Sequence, residues 1–70
     1  MKLHINGVQL DFREKLTITE LIQKRDIRSP KMVAVELNQE LIPYEKYDKV
    51  WLKDNDTLEF LFLNNGDFES

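Results

Sequence analysis

Few side chains in this sequence have the chemistry of a catalytic group. His4 is the only imidazole, and at an outward position of a predicted strand it fits a solvated or packing role better than a ligand or base. Ser70 has no neighbouring base. Asp54 and Asp56 flank an asparagine, but the glycine and closing glutamate of an EF-hand loop are missing, which favours a β-turn. These residues argue against an enzyme acting alone.

Glycine and cysteine usage excludes further classes of site. The chain has two glycines, Gly7 and Gly66, which cannot form a Gly-rich phosphate loop. With no cysteine, a disulfide framework, thiolate chemistry and sulfur ligation of a metal are excluded. We therefore expect no cofactor and no metal.

Length and composition indicate one small domain. Seventy residues with 41% hydrophobic and 33% charged side chains are ordinary for a soluble protein. No apolar run approaches the roughly 20 residues that span a bilayer, and polar residues alternate from the start, so we expect no membrane contact, no signal peptide and a cytoplasmic location. Ten basic residues interleave with thirteen acids for a net charge of -3, which argues against nucleic acid as a partner.

The final stretch organises the rest of the chain. Residues 58–63 are apolar except for Glu59, which predicts a central strand covered on one face and partly on the other. Such a strand needs neighbours for its backbone hydrogen bonds. The residues after it are polar, so we expect a domain at 1–63 and a mobile tail at 64–70.

The first residues predict a β-hairpin. Leu3 and Ile5 alternate with polar residues, and Asn6-Gly7 suits the two positive φ angles of a type I′ turn. Across a two-residue turn the inward set changes from odd to even positions. We therefore expect three inward residues after the turn: Val8, Leu10 and Phe12.

A short helix follows. Thr17 and Glu20 fit a capping box, with Leu16 and Leu21 as its hydrophobic staple. The helix should end near Arg25 or Asp26 and carry one face made of Ile18, Leu21, Ile22 and Arg25. Ile27 is expected to fold back into the core.

The remainder predicts two or three more strands. Val33, Val35 and Leu37 share one face of a strand, Asn38-Gln39 turn the chain into a short strand closed by Pro43, and one helical turn follows that proline. Residues 54–56 then turn the chain into the final strand. We predict an α+β domain of the β-grasp (ubiquitin-like) type: a mixed four- to five-stranded sheet with one helix packed across one face. A right-handed crossover through the helix should bring the next strand alongside the hairpin.

Several segments together resemble the ThiS family of thiamine-biosynthesis sulfur carriers. Residues 32–38 read MVAVELN, Ile42-Pro43 follow, and residues 52–59 read LKDNDTLE. This is similar to the family's VAVxxNxxxxP segment with a DGD-like turn and a last strand. MoaD, the molybdopterin carrier, shares the fold but is usually longer and lacks the N…P segment.

The resemblance implies a protein cosubstrate. In the family the tail ends in Gly-Gly, an adenylating enzyme of the ThiF/MoeB type activates the terminal carboxylate with ATP, and sulfur replaces oxygen. A ThiG-type thiazole synthase consumes the resulting thiocarboxylate. Glycine suits the reacting end because a backbone without Cβ threads a narrow channel.

The tail departs from the family pattern. Aligned on the last strand, the family's glycines fall at residues 65–67, where this chain keeps Gly66 alone and adds Phe68, Glu69 and Ser70. Tyr44 also replaces a common arginine. The resemblance thus implies Gly66 as the carrier terminus, released by a processing protease. The alternatives are a β-grasp interaction module that has lost carrier chemistry, a MoaD-like carrier for another sulfur pathway, or an error in the terminal codons.

Partner-binding residues are expected at the end of the last strand. If residues 58, 60 and 62 face the helix, Glu59, Leu61 and Leu63 face away, and with Asn64 and Asn65 they would form the surface that a partner contacts. Alternatively, a loop or another strand covers the two leucines. Neither the sulfur acceptor nor the oligomeric state follows from the sequence.

Overall fold

The computed structural model describes residues 1–25, 27 and 32–62 of the chain. Within them lie five strands, one α-helix and one short 3-10 turn at Tyr44–Lys46. The strands are β1 (Lys2–Ile5), β2 (Val8–Asp11), β3 (Val33–Leu37), β4 (Glu40–Ile42) and β5 (Asp56–Phe62), and the helix α1 is Ile18–Lys24. No helix in this part of the chain is long and apolar enough to cross a membrane.

One mixed sheet contains all five strands, in the order β2-β1-β5-β3-β4. The last strand, β5, is therefore central, as the sequence predicted. It runs parallel to β1, pairing Ile5 with Leu58, and antiparallel to β3, pairing Val35 with Phe60. The expectation that the strand after the helix lies alongside the hairpin was wrong, because β5 is inserted between β1 and β3.

Both hairpins turn through asparagine with positive φ. Asn6 and Gly7 have φ values of 50° and 83°, and Ile5 pairs with Val8 as predicted. Asn38 and Gln39, with φ values of 52° and 73°, connect β3 to β4. The αL conformation costs asparagine less than most residues with a side chain, which explains the choice at both turns.

The helix begins as the capping box predicted. Thr17 N–H donates to Glu20 Oε1 at 3.0 Å, and Glu20 N–H donates to Thr17 Oγ1 at 3.2 Å. Arg25 is the C-cap residue and is exposed, so the predicted face keeps its three apolar members and loses the arginine. Ile27 is half-buried against the core.

The core lies between the helix and one face of the sheet. Its buried apolar residues come from β1, α1, β3, β5 and the segments that precede α1 and β5: Leu3, Ile5, Leu16, Ile18, Leu21, Ile22, Val33, Val35, Tyr47, Leu52, Leu58 and Phe60. Val8 and Phe62 were predicted to face inward, yet they are 57% and 58% exposed. The helix has seven residues, about 10 Å of length, which is too short to cover the whole inner face of the sheet.

Candidate functional site

The face of the sheet that turns away from the helix contains an exposed patch on β3, β4 and β5. Alternation along each strand places five side chains on this patch, which we call the open face: Ala34, Glu36, Leu41, Glu59 and Leu61. Leu41 is 62% exposed and Leu61 is 45% exposed. Exposed apolar side chains that share one surface are typical of a protein-binding site.

Two of the predicted partner-binding residues belong to the open face. Glu59 and Leu61 both point away from the helix and are exposed, and Leu61 lies opposite Ala34 on β3. The other predicted residues, Leu63, Asn64, Asn65 and the carrier terminus Gly66, lie outside the described residues, as does the expected tail at 64–70. Within the described residues Leu61 is exposed, so no described loop or strand covers it.

A like-charge pair marks the open face. Glu36 and Glu59 lie directly opposite each other on the antiparallel strands β3 and β5. Like charges in this position destabilise a sheet, and within the described residues neither glutamate has a basic side chain as an ion-pair partner. Leu41 sits across from Glu36 on the other side. The open face thus combines apolar area with negative charge.

Asparagine side chains hold β5 in place at both hairpin turns. The Asn6 carboxamide accepts from Phe60 N–H at 2.7 Å through Oδ1, and the Asn38 carboxamide accepts from Thr57 N–H at 2.9 Å. Each turn residue therefore extends the pairing of its own hairpin onto the central strand. Sequence reasoning identified both residues as turn formers and missed this second role, since turn chemistry alone explains an asparagine there.

The turn before β5 is built on two carboxylates. Asp56, almost fully buried, accepts from Lys53 N–H at 2.7 Å and from Asn38 Nδ2 at 3.0 Å. Asp54 Oδ1 accepts from Lys2 N–H at 2.6 Å. The predicted turn is confirmed, and hydrogen bonds within the protein occupy both acids. These bonds fix the start of the central strand.

The described part of the chain holds no cluster of three or more acidic or histidine side chains able to bind a metal ion. His4 lies on the outward side of β1, opposite Gln9 and Thr57. Burial raises the pKa of the Tyr47 phenol, whose hydroxyl donates to Val33 C=O at 2.8 Å. That hydrogen bond ties the loop before β5 to β3, which is a structural role.

Comparison with known proteins places this architecture in a family. The model of the ThiS family matches residues 3–62, which is most of the chain. The crystal structure of a thiamine biosynthesis protein (ThiS) from Geobacter metallireducens has a TM-score of 0.78 at 38% identity, over 89% of this chain and 93% of that one. The solution structure of a thiamine biosynthesis protein from the same organism has a TM-score of 0.75, also at 38% identity, over 87% and 81%.

A longer relative is also similar to this chain. A thiazole synthase from Paramagnetospirillum magneticum is 39% identical over 67 residues, which cover 94% of this chain and 20% of the synthase. The chain thus spans about a fifth of the length of that relative. The matched family model and the two solved structures agree with the β-grasp sheet and single helix seen here. The chain belongs to the ThiS family.

Proposed function

We propose that this protein is a sulfur carrier for the thiazole branch of thiamine biosynthesis. Family membership and the ThiS structural relatives support the role. The observation that carries it is the position of β5: the central strand, held on both sides, leads directly into the residues that contain Gly66. A rigid body that presents its last strand beside an exposed face is what an enzyme acting on the following residues requires.

The chemistry takes place on Gly66 after residues 67–70 are removed. An adenylating enzyme of the ThiF/MoeB type joins the Gly66 carboxylate to the AMP portion of ATP and releases pyrophosphate. A sulfur donor then displaces AMP, leaving a thiocarboxylate on the carrier. The carrier supplies no catalytic group of its own; its contribution is the binding surface and the reactive end.

The open face is the proposed contact surface for the adenylating enzyme. Leu61 and Leu41 supply exposed apolar area, and Glu59 with Glu36 supplies negative charge. Leu63, Asn64 and Asn65 continue from the strand towards Gly66 and complete the proposed contact. A partner of matching chemistry presents apolar side chains with a lysine or arginine positioned between the two glutamates, where it would relieve their repulsion.

The proposed acceptor of the sulfur is a ThiG-type thiazole synthase. In Paramagnetospirillum magneticum a thiazole synthase includes a segment similar to this chain. Joining two binding segments in one chain raises the effective concentration of one for the other. We propose the same contact for this chain.

A mass measurement tests the carrier role. The chain truncated after Gly66 is mixed with a ThiF-type enzyme and ATP, with and without a sulfur donor. We expect an acyl-adenylate, and then a product heavier by the difference between sulfur and oxygen. The chain truncated after Asn65 is the matched control and should stay unmodified. An unmodified Gly66 form would contradict the proposal and favour a β-grasp interaction module without carrier chemistry.

Processing and the contact surface need their own measurements. Intact mass of the protein from its native cells should show a form that ends at Gly66, whereas a full-length form alone would argue against proteolysis. Leu61→Asp should abolish binding to the ThiF-type enzyme while the domain stays folded. The control is Val8→Asp, a change at another exposed apolar residue away from the open face, which should leave binding unchanged.

A further inference from the structure

Trp51, the single tryptophan of the chain, is 56% exposed on a rigid backbone. The neighbouring backbone is fixed by two hydrogen bonds, from Ile18 N–H to Val50 C=O at 3.2 Å and from Leu52 N–H to Leu16 C=O at 2.8 Å. Alternation then buries Leu52 and turns the indole outward. A large aromatic side chain held outward at low entropic cost is typical of a binding anchor.

The indole borders a groove of about 620 Å³ with a mainly apolar wall. Its lining, which we call the Trp51 groove, consists of Met1, Lys15, Trp51, Leu52, Lys53 and Asp54. Within the described residues Lys15 and Lys53 make no ion pair, while the Asp54 carboxylate already accepts a hydrogen bond from Lys2 N–H. The groove therefore suits an apolar side chain flanked by carboxylates.

The chain itself contains such a segment. Asp67, Phe68 and Glu69 place one aromatic side chain between two acids, in the part of the sequence that departs from the family's glycine ending. Phe68 suits the apolar wall, and its two acidic neighbours are opposite in charge to Lys15 and Lys53. We propose that residues 67–69 of one copy bind in the Trp51 groove of a second copy.

The groove and the end of β5 lie at opposite ends of the molecule. Lys53 and Asp54 adjoin the start of β5, where Asp56 N–H donates to Lys53 C=O at 3.1 Å. From there to Phe62 the strand makes six steps of about 3.3 Å, close to 20 Å in all. The six residues from Phe62 to Phe68 extend at most about 22 Å when fully straight. β5 runs away from the groove, so a chain that returned to its own groove would also use part of that length to reverse direction. A chain cannot reach its own groove, so the partner is another copy.

The resulting contact is head-to-tail. The surface used on one copy differs from the surface used on the next, so the association grows with concentration into open or ring-shaped assemblies. It also holds the residues around Gly66 against a neighbouring molecule. Removal of residues 67–70 would then separate the copies and free Gly66 in a single step. The association itself does not depend on the sulfur-carrier role.

Sedimentation velocity over a range of concentrations is the first test. The full chain should associate, and the chain truncated after Gly66 should stay monomeric. Trp51→Ala and Phe68→Ser should each raise the dissociation constant at least tenfold, while Val8→Ala, an exposed residue of the hairpin, should not. A full chain that is monomeric at every concentration, or association that survives truncation, would overturn the proposal.

Exchanging the charges between groove and tail tests whether these side chains pair. The variant Lys15→Glu/Lys53→Glu and the variant Asp67→Lys/Glu69→Lys should each fail to associate, and the variant that carries all four changes should regain association because its charges are exchanged on both sides of the contact. Failure of the fourfold variant to associate contradicts the pairing. Circular dichroism verifies that each variant is folded.

A peptide titration checks the same contact directly. The probe is the acetylated and amidated peptide NNGDFES, added to the chain truncated after Gly66. Because Trp51 is the single tryptophan, its emission should show a saturable blue shift, weakened by high salt and lost with a peptide that carries serine in place of phenylalanine. An unchanged emission would count against the groove as the binding site.

Discussion

The two faces of the sheet differ in what their residues contribute. On β5 the helix-side residues Asp56, Leu58 and Phe60 are buried, whereas Thr57, Glu59 and Leu61 on the other side are exposed. Every buried partner on the helix side is apolar or hydrogen-bonded, and no buried polar side-chain atom of the described residues lacks a partner. These buried residues therefore agree with the requirements of folding, and the exposed Val8 and Phe62 lie on the same side at the margin that the helix does not cover.

The residues of the open face do not meet the requirements of folding. Two glutamates face each other across β3 and β5, and two leucines lie in solvent beside them. Neither feature stabilises the isolated domain, since like charges repel and exposed apolar area gains nothing from the hydrophobic effect. Residues that cost stability persist where they serve another purpose, and the purpose proposed here is binding of an apolar, basic partner surface.

Shortening one leucine on each face compares directly how much the two faces contribute to stability. Leu58 has no solvent exposure, and Leu58→Ala should cost about 2–5 kcal/mol of unfolding free energy through lost burial and the cavity left behind. Leu61→Ala should cost about 0.5 kcal/mol or less, because the side chain is exposed. Urea denaturation followed by circular dichroism measures both. Equal losses would show that the open face is part of the core.

The pH dependence of stability tests the role of Tyr47 on the helix side. Burial raises the pKa of its phenol above the ordinary value of 10.0, so above that pH the unfolded chain loses the proton more readily than the folded one. Stability should therefore fall as the pH rises above about 10, and Tyr47→Phe should reduce this slope. At neutral pH the same substitution should cost about 1 kcal/mol, because Val33 C=O loses its donor.

The control for that experiment is Tyr44→Phe. Tyr44 stacks edge-to-face on Tyr47 with ring centroids 5.3 Å apart, but it is 47% exposed. The alkaline loss of stability should remain in this variant. Thermal unfolding measured from neutral pH to pH 11 compares the two substitutions with the unaltered chain; a slope lost equally in both would contradict the role given to Tyr47.

Local signals predicted the elements well because several agreed at each boundary. The capping box fixed the start of the helix, and the Asn6-Gly7 turn fixed both its own geometry and the register of Ile5 against Val8. The strand order was harder, because the insertion of β5 between β1 and β3 depends on long-range pairing that no local pattern encodes. The same holds for Val8 and Phe62, whose exposure depends on how far the helix reaches.

The candidate site could be predicted only in part. Alternation along the last strand placed Glu59 and Leu61 on one face, but Leu41 and Glu36 join them through register between strands, which the sequence does not show. The exposure of Trp51 could not be predicted for a similar reason. It lies in a short apolar run without a period of its own, so the sequence does not show that Leu52 is buried and the indole exposed.

The smallest effect, and the one that separates folding from binding on the open face, is expected from Glu59→Lys. The new ammonium would face Glu36 and replace repulsion with attraction, so the domain should gain about 0.2–1 kcal/mol. The gain should shrink at high salt because neither group is buried. Binding to a ThiF-type enzyme should weaken in the same variant, since the partner's basic group would meet a lysine. Glu45→Lys in the 3-10 turn makes the same change in net charge and should alter neither quantity. A Glu59→Lys variant that is less stable, or one that binds the enzyme as well as the unaltered chain, would show that the acidic pair does not serve the partner.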